Sequence, residues 1–258
     1  MQAKITAQPW DAADASFAGI WRVEISNPQR LNAMTRAMWQ QLRAVFEHIQ
    51  HAPETRCVVI QGQGDAFCAG GDISEYPGFR FDPQSLAAFH EQEVWGALEA
   101  ILACDVPVIA SITGACMGAG VEIASCCDIR WVSEGAKFGA PIAKLGFPMA
   151  PKEVQLVATS IGTHTAKRML LEAAVFSAHE LAALGWCVPP SPADLLQAHT
   201  LHCAQRIAQL APQAARLNKQ TMRSLAAGQA LAEPYAYADS AEHREGIAAF
   251  LAKRPPRF

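Results

Sequence analysis

Apolar and polar residues alternate along residues 19–26 (GIWRVEIS), a pattern that predicts a β-strand with one buried face. The dipeptide Asn27-Pro28 is a turn signal and ends this strand. After Met34, apolar residues recur at the spacing of an amphipathic helix, and the apolar run Cys57–Ile60 then predicts a fully buried strand. The apolar positions of the helix are Met38, Leu42, Val45, Phe46 and Ile49.

Helical and strand-like segments continue to alternate through the middle of the chain. Residues 86–102 have helical periodicity, residues 106–113 form a buried apolar run, and residues 114–127 are a glycine-rich turn that leads into a helix. Residues 128–133 predict a further strand. This alternation indicates an α/β fold with parallel strand pairing. After Pro151 helical patterns dominate, so we expect helices without a sheet, which act as a cap or an assembly element.

Composition narrows the class of protein. The 258 residues suffice for one large domain, or for a domain with a small appendage, and 51% of them are hydrophobic. The net charge of −3 disfavours nucleic-acid or membrane binding as a general function.

We expect no secretory signal at the start of the chain. We also expect no membrane span, because the longest uncharged stretch, residues 106–121, has several polar interruptions. Eight cysteines without CxxC spacing indicate reduced, buried thiols and a cytoplasmic location.

Several catalytic motifs are absent from the sequence. It contains no GxSxG nucleophile elbow, no GxGxxG dinucleotide motif and no GxxxxGKS/T phosphate loop. The pairs His90-Glu91 and His179-Glu180 begin an HExxH motif but lack its second histidine. His199, His202 and Cys203 share one face of a helix at i, i+3 and i+4, yet an ordinary helix explains this spacing better than zinc ligation does. We therefore expect no metal site.

Two glycine-rich turns carry the candidate chemistry. Residues 66–73 (AFCAGGDI) and residues 114–122 (GACMGAGVE) each follow a buried strand and consist mainly of small residues. In a parallel sheet such turns emerge at the carboxyl ends of the strands, where ligands usually bind. If the two strands are neighbours, the exposed N–H groups of both turns converge and suit an oxygen that becomes negative during a reaction. The alternative is that the glycines only turn the chain or allow close helix packing.

Glu122 follows the second turn and is the candidate general base. If its helix begins near Gly118, the carboxylate lies in the first turn, where the helix dipole favours the ionised form. Burial among the apolar neighbours Val121 and Ile123 acts in the opposite direction and raises the pKa of Glu122. The alternative role for this carboxylate is to satisfy the helix terminus.

These residues resemble those of a known family. Four segments that span nearly the whole chain are similar to segments of the crotonase superfamily, the enoyl-CoA hydratase/isomerase group: NPQRLNAMT, VVIQGQGDAFCAGGDI, VPVIASITGACMGAGVEIASCCDIRWVSEGAKFGAP and EGIAAFLAKRPPRF. The resemblance implies a crotonase-like spiral of ββα repeats over residues 1–195 that carries the site for a coenzyme A thioester. It also implies a helical region over residues 196–258 that assembles the chain into trimers or dimers of trimers.

The same resemblance implies an acyl-CoA-processing enzyme that stabilises a thioester enolate. The backbone N–H groups of Gly71 and Ala119 match the two donors of the family's oxyanion hole, and Glu122 matches the first of its two catalytic glutamates. Coenzyme A enters as part of the substrate, and no other cofactor is expected.

Further residues match positions that contact the substrate. Arg30 matches a basic residue near the CoA phosphates, and Phe250 and Lys253 match residues that close over the nucleotide, often from a neighbouring subunit. For Lys253 a solvated terminal lysine is the alternative. Asp72 lies beside an oxyanion donor but is better explained as a helix cap than as a base. The remaining substrate-binding residues that the resemblance implies are Ala33, Ala69, Asp72, Ile73 and Gly118.

The chain departs from the family pattern where hydratases carry their second glutamate. In the FGxPE segment the last position is Ile142, which can neither activate water nor return a proton. The family's PGAGG segment is replaced by residues 149–153, MAPKE. Glu153 is a possible replacement acid, or else a surface residue at a helix start that the dipole stabilises.

Three hypotheses about function remain open on the sequence alone. The first is an enoyl-CoA hydratase/isomerase-like enzyme, in which Glu122 acts with a second acid or catalyses a proton shift by itself. The second keeps the fold but uses the oxyanion hole for thioester hydrolysis or decarboxylation. The third is a non-catalytic acyl-CoA binder, which Ile142 supports and Glu122 opposes. RNA binding is disfavoured by the negative net charge.

Overall fold

The structure of this chain, a computed structural model, describes residues 2–258 and contains two β-sheets. The larger sheet has five strands in the order β1-β2-β3-β4-β6; β1 pairs antiparallel with β2, and the other neighbours are parallel. The smaller sheet has the order β5-β7-β8, in which β5 and β7 are parallel and β8 is antiparallel to β7. The strands are β1 Lys4–Pro9, β2 Ile20–Ser26, β3 Cys57–Gly62, β4 Val108–Ile112, β5 Ala115–Met117, β6 Ile129–Val132, β7 Lys137–Gly139 and β8 Val175–Ser177.

Within residues 2–258, ten α-helices pack around and beyond these sheets. The first begins at the N-cap Thr35, whose hydroxyl accepts the Met38 N–H, and four of its five predicted apolar positions are fully buried, while Val45 is partly buried. The helices are α1 Arg36–Gln50, α2 Pro83–Ala88, α3 Trp95–Ala103, α4 Ala119–Cys126, α5 Pro151–Ile161, α6 Thr163–Leu171, α7 Ala178–Ala183, α8 Leu196–Ala208, α9 Pro212–Ala226 and α10 Ala241–Leu251.

Successive units of two strands and a helix build the core. In β4-β5-α4 and in β6-β7-α5, the first strand joins the larger sheet, the second joins the smaller sheet, and the helix follows. The unit that starts with β3 has no complete second strand, but Cys68 forms a parallel bridge with Cys116 of β5 in its place. The consequence for the site is that the turn after β3 lies directly beside the turn after β5.

The predicted strands and their parallel pairing are confirmed. The expected strand segments 19–26, 57–60, 106–113 and 128–133 correspond to β2, β3, β4 and β6, which are consecutive neighbours in the larger sheet. The expected helix over residues 86–102 is interrupted by a π-helical turn, Phe89–Val94, between α2 and α3. A π turn inserts one residue and changes the face on which the following side chains lie.

The expectation of helices without a sheet after Pro151 is wrong. Strand β8 lies in this part of the chain and pairs with β7, with Phe176 opposite Phe138. A strand of three residues is too short to produce an alternating pattern, so its existence depends on the partner strand. The short strand β5 inside the glycine-rich segment 114–127 was hidden from the sequence pattern for the same reason.

The C-terminal helices pack on the larger sheet. On α8, Cys203 and Ala204 are buried in an apolar cluster with residues of β2, β3 and β4. On α9, the ammonium group of Lys219 lies 2.7 Å from the Asp128 carboxylate and donates to the Val106 carbonyl oxygen at 2.9 Å. The domain boundary at residue 195 stays a prediction.

All eight cysteines are buried, unbridged thiols, as predicted. Within residues 2–258, no helix has both the length and the apolar character needed to cross a membrane. The cytoplasmic location stays a prediction.

Gly114, between β4 and β5, sets the distance between the two glycine-rich turns, and Gly114→Ala should therefore destabilise the fold. Its φ is +53°, and a Cβ would lie 2.0 Å from the Asp65 carbonyl oxygen. We expect a loss of about 2–5 kcal/mol, the sum of left-handed strain and overpacking. Denaturant unfolding at one protein concentration measures it.

Gly64→Ala is the matched control for this prediction. Gly64 also has a positive φ, +73°, but a Cβ there would meet nothing within 4 Å. This variant should lose only the strain contribution, about 1–2 kcal/mol. Equal losses in the two variants would show that the close approach of Gly114 to Asp65 does not matter.

Candidate active site

A cavity of about 330 Å³ lies where the turn after β3, the start of α4 and the start of α5 meet. Its walls are mostly apolar, and the segment that contains Ile142 and Phe147 closes one side. Two carboxylic acids, Glu122 and Glu153, line the same cavity. An apolar hollow with a few convergent polar groups is the usual form of a small-molecule site.

Hydrogen bonds to Met34 fix the direction of the Gly71 amide. The Met34 N–H donates to the Gly70 carbonyl oxygen at 2.8 Å, and the Asp72 N–H donates to the Met34 carbonyl oxygen at 2.8 Å. In such a parallel bridge, the N–H group of the central residue, Gly71, points away from the partner strand. Gly71 lines the cavity, and no acceptor for its N–H occurs among residues 2–258.

Ala119 supplies a second amide at the same place. It is the first residue of α4, so its N–H has no acceptor inside the helix. Gly118, the N-cap, has φ = +47°, and a Cβ on it would lie 3.7 Å from the Cα of Gly70. The two turns therefore adjoin, and Gly71 and Ala119 both line the cavity.

Glycine packing also explains part of the small-residue pattern. A Cβ at Gly120 would lie 2.5 Å from the Cys68 carbonyl oxygen, so this glycine allows the helix and the turn to approach closely. A Cβ at Gly71 would lie 2.2 Å from the Tyr76 hydroxyl oxygen, which also faces the cavity. Burial raises the pKa of Tyr76 to about 12, so its hydroxyl stays protonated and can donate a hydrogen bond.

The buried carboxyl group of Glu122 has a raised pKa. Burial is the larger cause and the negative charge of Glu153 is the second; together they raise the pKa of Glu122 well above its ordinary value near 4.5. Glu122 lies in the first turn of α4, as predicted, but burial outweighs the helix dipole that favours the ionised form.

Glu153 is a buried cavity residue, and the alternative of a surface residue is wrong. It lies in the first turn of α5 with 3% of its surface exposed, and its Oε1 is 2.7 Å from Nδ1 of His90. On the other side of the ring, Nε2 of His90 is 3.4 Å from Nη1 of Arg80. Because a guanidinium group only donates, we assign Nε2 as the acceptor and Nδ1–H as the donor to the Glu153 carboxyl oxygen.

The structure brings together most of the residues that the sequence singled out. The oxyanion candidates and Glu122 line the cavity together with three of the expected substrate-binding residues, Ala69, Ile73 and Gly118.

Asp72 caps the 3-10 turn Ile73–Gly78 by accepting from Ser74, as predicted. Arg30 is exposed and Ala33 is buried, both in the segment that leads to Met34. Outside the cavity lie Arg30, Ala33, Asp72, Phe250 and Lys253.

Phe250 and Lys253 lie on the surface of this subunit, away from its cavity. The Phe250 side chain is 83% exposed at the end of α10, and Lys253 is also exposed. They do not reach the site of their own chain, so their expected contact with a nucleotide stays a prediction about a neighbouring subunit.

The sequence pattern missed Tyr76, Arg80 and His90 as individual site residues. All three line the cavity. His90 could have been noticed as half of an HE pair, but its carboxylate partner is Glu153, 63 positions further along the chain. Across the described residues, no group of three metal-ligating side chains is arranged to hold an ion.

The raised pKa of Glu122 should appear in the pH dependence of stability. The folded state binds more protons than the unfolded state above about pH 4.5, so this contribution is lost as pH rises towards the folded pKa. Glu122→Gln removes it, and we expect the variant to gain stability relative to the parent protein from pH 5 to pH 8. Denaturant unfolding at both pH values measures the change.

A control uses the charge of Glu153. In a Glu153→Gln background the second cause of the raised pKa is absent, so the pH-dependent gain from Glu122→Gln should be smaller. A stability difference that is constant or falls with pH would contradict a protonated Glu122.

Comparison with known proteins gives a consistent assignment. The family model described as enoyl-CoA hydratase/isomerase matches residues 16–258. A Mycobacterium tuberculosis protein named "Probable enoyl-CoA hydratase echA8" is 30% identical over 244 residues, which are 92% of this chain and 93% of that protein. The mitochondrial enoyl-CoA hydratase of Pongo abelii is 27% identical over 243 residues, 92% of this chain and 82% of that protein.

Solved structures agree with the sequence comparison. The crystal structure of an enoyl-CoA hydratase/carnithine racemase from Magnetospirillum magneticum matches with a TM-score of 0.90 and 35% identity, covering 93% of this chain and 92% of that one. The expected crotonase-like fold, with its C-terminal helical region, is confirmed. The chain therefore belongs to the enoyl-CoA hydratase/isomerase family.

Proposed function

We propose that this acyl-CoA-processing enzyme adds water reversibly across the Cα=Cβ bond of a 2-enoyl-CoA thioester, with Glu122 and Glu153 as its acid–base pair. One observation carries the proposal: Glu153 is buried in the same cavity as Glu122. It supplies the second carboxylate that is missing at Ile142. Hydration requires one group that removes a proton from water and one that delivers a proton to carbon.

The amides of Gly71 and Ala119 hold the thioester carbonyl oxygen in this proposal. Both line the cavity, and their turns adjoin at Gly70 and Gly118. As water adds to Cβ, negative charge develops on the carbonyl oxygen, and two fixed N–H donors stabilise it. One such donor is worth about 2.7–4 kcal/mol of transition-state stabilisation.

The two carboxyl groups divide the proton transfers. Ionised Glu153, held by His90, accepts a proton from water as the water oxygen bonds to Cβ. The π electrons of the double bond move towards the thioester carbonyl, and protonated Glu122 then delivers its proton to Cα. Glu122 is one helical turn from Ala119, and therefore on the carbonyl side of the substrate. When different environments give two carboxyl groups different pKa values, the group with the higher pKa is suited to act as the acid and the other as the base.

The remaining substrate-binding assignments are part of the same proposal. Ala69, Ile73 and Gly118 contact the thioester end, and Arg30 lies exposed near this turn, where CoA phosphates can reach it. Coenzyme A enters with the substrate. We also propose that the chain forms trimers or dimers of trimers in which Phe250 and Lys253 reach a neighbour's nucleotide. Exposed apolar residues on α9 and α10 support this assembly: Met222, Leu225, Ile247, Phe250 and Leu251.

Loss of either carboxylate should stop hydration. Glu122→Gln and Glu153→Gln should each lower kcat by about 10²–10⁴-fold because each removes one proton-transfer group. The measurement is the loss of the enoyl thioester absorbance with a series of 2-enoyl-CoA substrates, with products identified by mass spectrometry. Hydration is an addition of 18 mass units, whereas an isomerisation leaves the mass unchanged.

Glu91→Gln is the matched control for Glu153→Gln. Glu91 lies on the same π-helical turn as His90, but it is exposed and pairs with Lys152 instead. This variant should keep the parent rate within a factor of about two. Isomerised product, or full hydration in Glu153→Gln, would overturn the assignment of the pair.

Ala119→Pro tests the oxyanion donor. Proline lacks the N–H but is well accepted at the first position of a helix, and α2, α5 and α9 of this chain already begin with proline. We expect kcat/KM to fall by about 10²–10³-fold, with a circular dichroism spectrum like that of the parent. Ala119→Ser keeps the amide and should retain most of the activity. Equal activity of both variants would remove Ala119 from the proposal.

A further inference from the structure

The cavity contains a cation that uses few of its N–H donors within the protein. Arg80 lines the cavity, and its guanidinium group lies 3.8 Å from the ring centroid of Phe147 and 4.6 Å from that of Tyr76. Its only hydrogen-bond contact in the described part of the chain is the 3.4 Å approach to His90. No carboxylate of residues 2–258 lies within ion-pair distance of it.

A neighbouring arginine shows how such a side chain is otherwise satisfied. Arg36, which lies over the ring of Phe79, forms a two-pronged ion pair with Glu93. A guanidinium group has five N–H donors in a flat fork that matches a carboxylate. For Arg80, the stacking on Tyr76 and Phe147 fixes the plane of the group but satisfies none of these donors.

The surroundings of Arg80 favour an anionic ligand over an alkyl one. An acyl chain that ended in a methyl group would remove water from the unpaired N–H donors without replacing its hydrogen bonds. Lys144, which also lines the cavity, is exposed and adds a second positive charge. The Glu153 carboxyl group is the acidic group on this side, and the His90 ring lies between it and Arg80.

We infer that Arg80 binds a carboxylate at the far end of the acyl chain, so that the substrates are 2-enoyl-CoA thioesters of dicarboxylic acids. The inference rests on the proposed function for the position of the thioester and of the reacting carbons. Glu122 and Glu153 flank those carbons, and Arg80 lies beyond the His90 ring, where a group several bonds past Cβ arrives. Thioesters of several chain lengths therefore have to be compared, because a second cavity of about 690 Å³ shares Ile142, Phe147, Pro148 and Met149 with this one.

Binding of saturated thioesters tests this without any turnover. Adipyl-CoA and hexanoyl-CoA have acyl chains of equal length and differ in the terminal carboxylate, and neither contains a double bond. Isothermal titration calorimetry of the parent protein should give a Kd for adipyl-CoA about 10–100-fold lower than for hexanoyl-CoA, the value of a charge-assisted hydrogen bond. Succinyl-CoA with butyryl-CoA and suberyl-CoA with octanoyl-CoA extend the comparison to other lengths.

Two variants at Arg80 separate recognition from general damage. Arg80→Met keeps the length of the stem and should abolish the preference, while the Kd for hexanoyl-CoA changes less than threefold. Arg80→Lys keeps the charge but loses the fork, and should retain part of the preference. Equal binding of both thioesters by the parent protein at all three lengths would overturn the inference. So would an equal loss for both thioesters in Arg80→Met, which would assign Arg80 only to the support of His90.

The outcome does not depend on the hydration assay. If neither enoyl substrate is hydrated but adipyl-CoA still binds preferentially through Arg80, the proposed function fails and the carboxylate site stands. If crotonyl-type substrates are hydrated but the preference is absent, the carboxylate site fails and the proposed function stands.

Discussion

The burial of two carboxyl groups in one apolar cavity is the constraint on which the site depends. Two negative charges in one poorly hydrated space are unfavourable. Glu122, which no described side chain contacts through a hydrogen bond, has its pKa raised by burial first and by Glu153 second. Glu153 has a donor in His90. The two carboxyl groups of one cavity therefore have different surroundings.

The backbone imposes the second constraint, the approach of two turns from different strands. Cys68 pairs with Cys116, Met34 pairs with Gly71, and a side chain at Gly120 would collide with the Cys68 carbonyl group. These contacts place two unused amides in the same wall as Glu122. Some of the small residues let the chain segments approach each other, while others expose an amide to the cavity. The packing explanation of the glycines therefore holds at Gly120, while the binding of a ligand oxygen by the exposed amides stays a prediction.

The sequence predicted those parts of the fold and site that local patterns encode. The parallel strands β2, β3, β4 and β6 have apolar runs or alternation long enough to recognise, and Glu122 follows a distinctive glycine-rich turn. Strand β8 was missed because three residues carry no periodicity and its partner precedes it by more than thirty positions. Glu153 was undecided because a glutamate in the first turn of a helix is equally typical of a solvated surface. Its partner His90 lies on the π-helical turn, 63 positions earlier, and no local pattern of α5 shows that contact.

In the proposed function the second carboxylate lies at position 153 instead of position 142, and this changes what must surround it. A glutamate on α5 needs a donor from the opposite wall, and His90 provides one. The imidazole can keep its proton on Nδ1 only if Nε2 faces a donor, and Arg80 is that donor. The contact with His90 uses only one of the guanidinium N–H groups. Under the two proposals made above, Arg80 orients His90 and also binds the end of the acyl chain, which links the position of the acid to the choice of substrate.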